Sequence, residues 1–414
     1  MSKIDPPAGR ARTVTALQRL PKGIWALGFV SLLMDVSSEM IHALLPVYLV
    51  GTLGISTLAV GFIEGIAEST AAIVKVFSGA LSDWLGRRKL LAAIGYGLAA
   101  FTKPVFPLAH TVGWVVTARF VDRIGKGIRG APRDALIADL APPGMSGAAF
   151  GLRQSLDTTG AYLGPLLAIG LMWLTGDDIP LVFWFAVLPA FGSFALITFG
   201  VHDAAREPGA QQVRMPLSRA ELSRLPAVYW WIVAVASVFT LARFSEAFLV
   251  LRAQELKLSL MLIPAVLVLM NVVYSLVAYP IGKLADRLDR GVLLASGFAV
   301  LVLADLALAL IGGLAGLVIG VTLWGLHMGM TQGLLATLVA DAAPASLRGT
   351  AFGVFNLVTG VALLLASVLA GGLWGAIGSQ ATFLAGAAFA ALALLGLVAV
   401  YRHRHPSTQR PAAP

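Results

Sequence analysis

Twelve apolar stretches, each near the twenty residues that a helix needs to cross a bilayer, dominate this sequence and leave few other folds open to it. They fall at 24–50, 57–81, 90–109, 113–140, 147–173 and 180–200, and then at 228–251, 260–284, 291–311, 315–340, 347–374 and 381–401. With 58% hydrophobic and 12% charged residues, the chain lies outside the composition of soluble domains. The expected fold class is therefore an all-α polytopic membrane protein. Its anticipated organisation is a tail at 1–23, a six-helix half at 24–200, a polar linker at 201–227, a second six-helix half at 228–402 and a tail at 403–414.

The formal net charge of +9 would suggest nucleic acid in a soluble chain. Here the basic residues gather in short connections, where they act as topology signals, and nucleic acid is not an expected partner. Lys3, Arg10, Arg12, Arg19, Lys22, Arg87, Arg88, Lys89, Arg206, Arg214, Arg219, Arg224, Arg287, Arg290, Arg348, Arg402 and Arg404 fall on one side, with little beyond Arg252 and Lys257 opposite. Both termini and the linker are thus expected in the cytoplasm, and the N-terminal stretch carries no signal-peptide pattern. The linker has room for a short amphipathic helix. The absence of Cys excludes disulfides, thiolate metal sites and cysteine nucleophiles.

The fourth run is apolar in its setting but not in its content. Arg119, Asp122, Arg123, Lys126, Arg129, Arg133 and Asp134 occupy it, and positions 119, 122, 123, 126, 130 and 133 share roughly a third of a helix circumference. A charge at the bilayer centre costs on the order of 2.5–3.5 kcal/mol to insert, so this stripe must face protein or a water-filled pathway. The first run adds Asp35, Glu39 and His42, and the second adds Glu64, Glu68 and Lys75, all at spacings of three, four or seven. In the fifth run, Arg153 and Asp157 stand at i and i+4.

The two halves read as copies. DLAPPGMSGAAFG from Asp139 matches DAAPASLRGTAFG from Asp341 at a shift of about 202 residues, and GALSDWLGRR from Gly79 matches GKLADRLDR from Gly282. A weaker pair sets SSE at Ser37 against FSE at Phe244. Duplicated six-helix units are the plan of many secondary transporters. At this shift Arg123, Lys126, Arg133, Arg153 and Asp157 face Gly325, Met328, Leu335, Phe355 and Thr359, so proton and charge handling is expected chiefly in the first half. The second half offers Arg243, Glu246, Asp305, His327 and Gln332, with Asn271 opposite Glu68, as part of a more apolar wall.

On these motifs the chain resembles the major facilitator superfamily from about residue 24 to 402. The connection Gly79 to Arg88, with Asp83, Gly86, Arg87 and Arg88, is similar to the family's cytoplasmic gating motif. Physically, Asp83 is placed to accept from the exposed amides at the start of the eleventh span, and Arg87 to reach Asp139 or Asp134 in a latch that breaks when the cavity opens inward; the alternative is that Arg87, Arg88 and Lys89 only enforce topology. Arg119 stands at the Arg of the motif in proton-driven members, with Asp122 and Arg123 where Gln and Gly are usual. Gly151, Gly160, Gly164 and Pro165 match the antiporter-associated motif, which here closes with Leu167 and Ala168; close helix packing accounts for the glycines equally well.

The resemblance implies a twelve-helix carrier of the plasma membrane, in a bacterium its inner membrane, working by alternating access as a monomer. Its expected activity is proton-coupled export of a small organic compound, with the proton gradient as driving force and no cofactor. Asp35, Glu39, Glu68 and Asp122 are the expected proton-coupling acids, since an acid near Arg119 or Arg123 can change protonation as solvent access changes. The competing reading gives them permanent ion pairs. A second activity, uptake or exchange of an anionic metabolite, would use Arg119, Arg123, Lys126, Arg129 and Arg153 as a clamp. The two differ in whether Arg123 and Lys126 stand free or are neutralised by Asp122 and Glu68. A non-transporting sensor is a third reading. No nucleophile–base grouping points to an enzyme, GKGIRG lacks the strand and Ser or Thr of a phosphate loop, and His42 with His327 makes weak evidence for a metal.

Overall fold

A computed structural model describes residues 20–85, 87–142, 145–202, 222–285, 288–344 and 347–404. The described residues form helices without strands. The first half comprises α1 (Lys22–Val47), α2 (Thr57–Leu85), α3 (Arg88–Thr102), α4 (Val112–Leu140), α5 (Ser146–Thr175) and α6 (Ile179–Gly200). The second comprises α7a (Ala227–Ala242), α7b (Ala247–Glu255), α8 (Ala265–Ala285), α9 (Arg290–Leu310), α10 (Gly313–Ala342), α11 (Arg348–Ala376) and α12 (Ser379–Arg404). Eleven stretches of this set are long and apolar enough to span a membrane. The twelfth span, α4, misses that criterion because of its charges. Most of the central linker, residues 203–221, lies outside the described residues, and with it the stretch anticipated to hold an amphipathic helix.

Local chemistry sets the ends. Gly176 adopts φ +65° and closes α5 in the left-handed conformation that a side chain would resist. Asp178 then caps α6 by accepting from the Leu181 amide at 3.0 Å, with Pro180 in the first turn. Asp289 caps α9 in the same manner through the Gly291 amide at 2.8 Å.

The seventh span departs from the continuous run expected at 228–251. Residues Arg243 to Glu246 leave the helix between α7a and α7b. Unwound backbone inside a membrane is tolerated only where protein or a water-filled cavity satisfies it.

With twelve crossings the two ends of the described chain share one side, the terminal side. On the opposite side the halves are shut. Thr57 donates to the Gly371 carbonyl at 3.3 Å, and added Cβ atoms at Gly61 and Gly371 would lie 2.2 Å from the Ser367 carbonyl oxygen and 2.5 Å from that of Thr57. The end of α1 meets the end of α7b, where Gly51 lies against Gln254. Near the midplane Asn271 of α8 donates to the Ala161 carbonyl of α5 at 3.3 Å. From that level a cavity extends toward the terminal side.

Candidate transport cavity

The cavity is about 360 Å³, within the range of small-molecule sites. The first half lines it with Asp35, Glu39, His42, Glu68, Arg123, Lys126, Gln154 and Asp157, and the second with Arg243, Phe244, Ser245, Glu246, Asn271, Tyr274, Trp324, Met328 and Gln332.

Glycines place the acids of α1. A Cβ at Gly160 would come within 2.8 Å of the Asp35 Cβ, and one at Gly164 within 2.7 Å of the Glu39 Cβ, so their absence lets α5 seat directly against α1. Gly151, the first glycine of the same motif, has open space around it. On α4, a Cβ at Gly125 would meet the Gly95 carbonyl oxygen at 2.6 Å and one at Gly127 would meet the Val74 side chain at 2.6 Å. The GKGIRG glycines therefore bring α3 and α2 against α4.

A chain of polar groups leads out of the cavity wall. Glu39 faces the His42 Nδ1 at 3.3 Å, His42 Nε2 lies 3.8 Å from Glu64, and Arg119 donates to Glu64 at 2.7 Å. Glu64 has no exposed side-chain surface and Arg119 only 2%, so these two stand behind the wall. In the cavity itself Glu68 binds Arg123 at 3.0 Å. Asp157 pairs with Arg153, as the i, i+4 spacing implied, and Arg153 also approaches Asp134 at 3.8 Å. Lys126 makes no ion pair among the described residues.

Several sequence expectations require correction. Asp122 does not reach the cavity. It accepts from Lys103 at 3.0 Å, with Arg123 3.8 Å away, and Lys103 also donates to Ser38. Lys103 was overlooked although an interior Lys beside Pro104 in an apolar run is itself a signal. Arg129 is buried with its guanidinium 4.9 Å from the Tyr96 ring centre and does not line the cavity as a clamp residue would, and Arg133 of the same stripe donates to Ser31 at 3.0 Å and bonds Asp134. Lys75 lies along Gly130 of α4 and is not a cavity-lining residue.

On the terminal side Arg88, not Arg87, meets Asp139, at 2.5 Å, and it also donates to the Ala135 carbonyl. This pair joins α3 to α4 within one half and is intact while the cavity is open on that side. It is a brace, not a latch between halves. Gly86, the side chain of Asp83, and Ala345 and Ser346 ahead of α11 lie outside the described residues.

The second half is less purely apolar than anticipated, since Arg243 and Glu246 enter the cavity from the break in the seventh span. Asp305 and His327 do not. Both are fully buried behind Phe244 and Trp324, and neither carboxylate oxygen of Asp305 has a hydrogen-bond partner among the described residues.

The sequence profile of the Major Facilitator Superfamily matches residues 27–367. The chain belongs to this superfamily. An uncharacterised MFS-type transporter, MJ1317, of Methanocaldococcus jannaschii is 31% identical over 388 residues, 92% of this chain and 95% of that protein. The multidrug resistance protein MdtH of Salmonella typhi is 23% identical over 356 residues, covering 83% of this chain and 84% of its own length. Among solved structures, a POT family transporter bound to 5-aminolevulinic acid superimposes with a TM-score of 0.77 at 12% identity, covering 95% of this chain and all of that one. The protein is an integral membrane secondary transporter, a carrier and not an enzyme.

Proposed function

We propose that this carrier couples the export of a small organic compound to proton entry, rocking its halves about the cavity with the terminal side in the cytoplasm. The chain Glu39–His42–Glu64–Arg119 carries the reading. An imidazole between a cavity-facing carboxylate and a buried one gives a proton a place to bind and a direction to move. Arg119 compensates Glu64 whether or not His42 is charged. The sequence similarity to MdtH over most of both chains supports efflux, and the Lys and Arg distribution supports the orientation.

Arg123 is neutralised by Glu68, which disfavours an anion clamp on α4, although Lys126 remains available. The test is purified protein in vesicles with an imposed proton gradient and a pH-sensitive dye, challenged with cationic, neutral, anionic and zwitterionic compounds. Proton movement opposite to an added compound, lost in Glu39→Gln and His42→Ala, is the expected result. Proton movement in the same direction as anions would replace export with uptake.

A further inference from the structure

Among the charged groups that line the cavity, five are already matched, four by one another and Asp157 by Arg153 beside it. Glu68 holds Arg123, Glu39 holds His42, and Asp157 holds Arg153. Four are left without an ion pair or hydrogen bond among the described residues: Asp35 and Lys126 in the first half, Arg243 and Glu246 in the second. Each half thus presents one acid and one base.

The second-half pair owes its position to the break between α7a and α7b. The backbone there is held from outside the cavity: the Ser245 amide donates to Ser367 Oγ at 3.3 Å, and the Ala247 amide to Ser245 Oγ at 3.2 Å. Phe244 is packed among Trp324, Phe248 and Phe383, with ring centres 5.4 to 5.7 Å apart. Phe244 and Ser245, the two middle residues of the break, are fastened to the second half, and all four residues line the cavity, with Arg243 and Glu246 bringing the charges. A regular helix would bond the Ala247 amide to the Arg243 carbonyl; in the break that amide turns to Ser245 Oγ, and one rigid segment presents two charges.

We propose, building on the export reading, that the substrate is amphoteric, bearing a cationic and an anionic group, and that Arg243 and Glu246 in the helix break form its second-half anchor. When the halves close around a ligand, every unmatched charge loses water. A purely cationic compound would leave Arg243 and Lys126 unmatched, and a purely anionic one would leave Asp35 and Glu246. A zwitterion answers both signs on both halves. Its ammonium group also competes with protons for Asp35 and Glu246, which is the competition that exchange requires.

The test uses the purified full-length chain in detergent and three series that share scaffolds and differ in charge: amino acids and dipeptides, their C-terminal amides, and their N-acetyl derivatives. Thermal stabilisation is recorded for each compound. The expected result is stabilisation by members of the zwitterionic series, with affinity reduced about tenfold or more in Arg243→Gln and in Glu246→Gln, and partly recovered in Arg243→Lys and Glu246→Asp. Stabilisation confined to the amides or to the acetyl derivatives, stabilisation by none, or zwitterion binding unchanged in both variants overturns the proposal. Proton movement in vesicles is read separately. Zwitterion binding without proton flux sinks the coupling and leaves the substrate class standing, whereas proton flux driven by amides alone does the reverse.

Discussion

Lys103 donates to Asp122 across 3.0 Å in the interior of the first half, with side-chain exposures of 2% and 3%. The pair ties the end of α3 to the middle of α4 and, through Ser38, to α1. Removing one partner strands a buried charge, at a cost of about 3–5 kcal/mol, whereas replacing both with apolar groups removes the whole demand for solvation. Asp122→Asn and Lys103→Met should each lower the melting temperature sharply, and Lys103→Met with Asp122→Leu should recover most of the loss. Thermal unfolding of the three variants in detergent measures this. If the single and double variants melt together at the lower temperature, the pair is not acting as a closed unit.

The glycines of α5 separate positioning from mere composition. A Cβ at Gly160 or Gly164 would press on α1 backbone and on the Cβ atoms of Asp35 and Glu39, whereas Gly151 has nothing within 4 Å. Overpacking of this kind costs roughly 1–3 kcal/mol. Gly160→Ala and Gly164→Ala should therefore reduce both stability and transport rate, and Gly151→Ala should leave both near the parent values. A loss in Gly151→Ala equal to the other two would point to a role that packing does not supply.

Asp305 presents the opposite case. It has no exposed surface, and neither carboxylate oxygen has a hydrogen-bond partner among the described residues. An unmatched buried polar group opposes folding by about 1–3 kcal/mol, so Asp305→Ala should raise the melting temperature despite the small cavity it leaves. A calorimetric or fluorescence melt decides it: a clear fall would mean that the carboxyl has a partner in the membrane-embedded protein.

The membrane fold was legible because a bilayer imposes its length on every span, and the internal repeat added the two-half plan. The Arg153–Asp157 pair was legible too, since i and i+4 fix neighbours on a helix without reference to anything else. Partners across helices were not. Asp122 shares a helical face with Arg119 and Arg123, yet its partner Lys103 lies on α3, and only the packing allowed by Gly95 and Gly125 brings them together. The break at Arg243 was equally hidden: no Pro or Gly marks it, and its backbone is held by Ser367, 122 residues away. Arg88 displaced Arg87 at Asp139 because the start of α3 turns it, and not its neighbour, toward α4.

Alternating access requires that the closure opposite the terminal side be reversible, and the closure rests on two glycines. A side chain at Gly61 or Gly371 would meet backbone of the other half at 2.2 or 2.5 Å, which backbone cannot yield without separating α2 from α11. Gly372 is a natural control, its added Cβ meeting only Leu58 Cδ1 at 3.7 Å. Because the chain has no cysteine, a single Gln154→Cys in the cavity reports access from the terminal side without background. Strain of roughly 1–3 kcal/mol in the closed contact corresponds to a population shift of about five- to 150-fold. Labelling of that cysteine by an impermeant maleimide should therefore slow when Gly61→Val is added, by up to that same factor, and stay unchanged with Gly372→Ala. Equal labelling in all three backgrounds would mean that the α2–α11 contact does not govern which side is open.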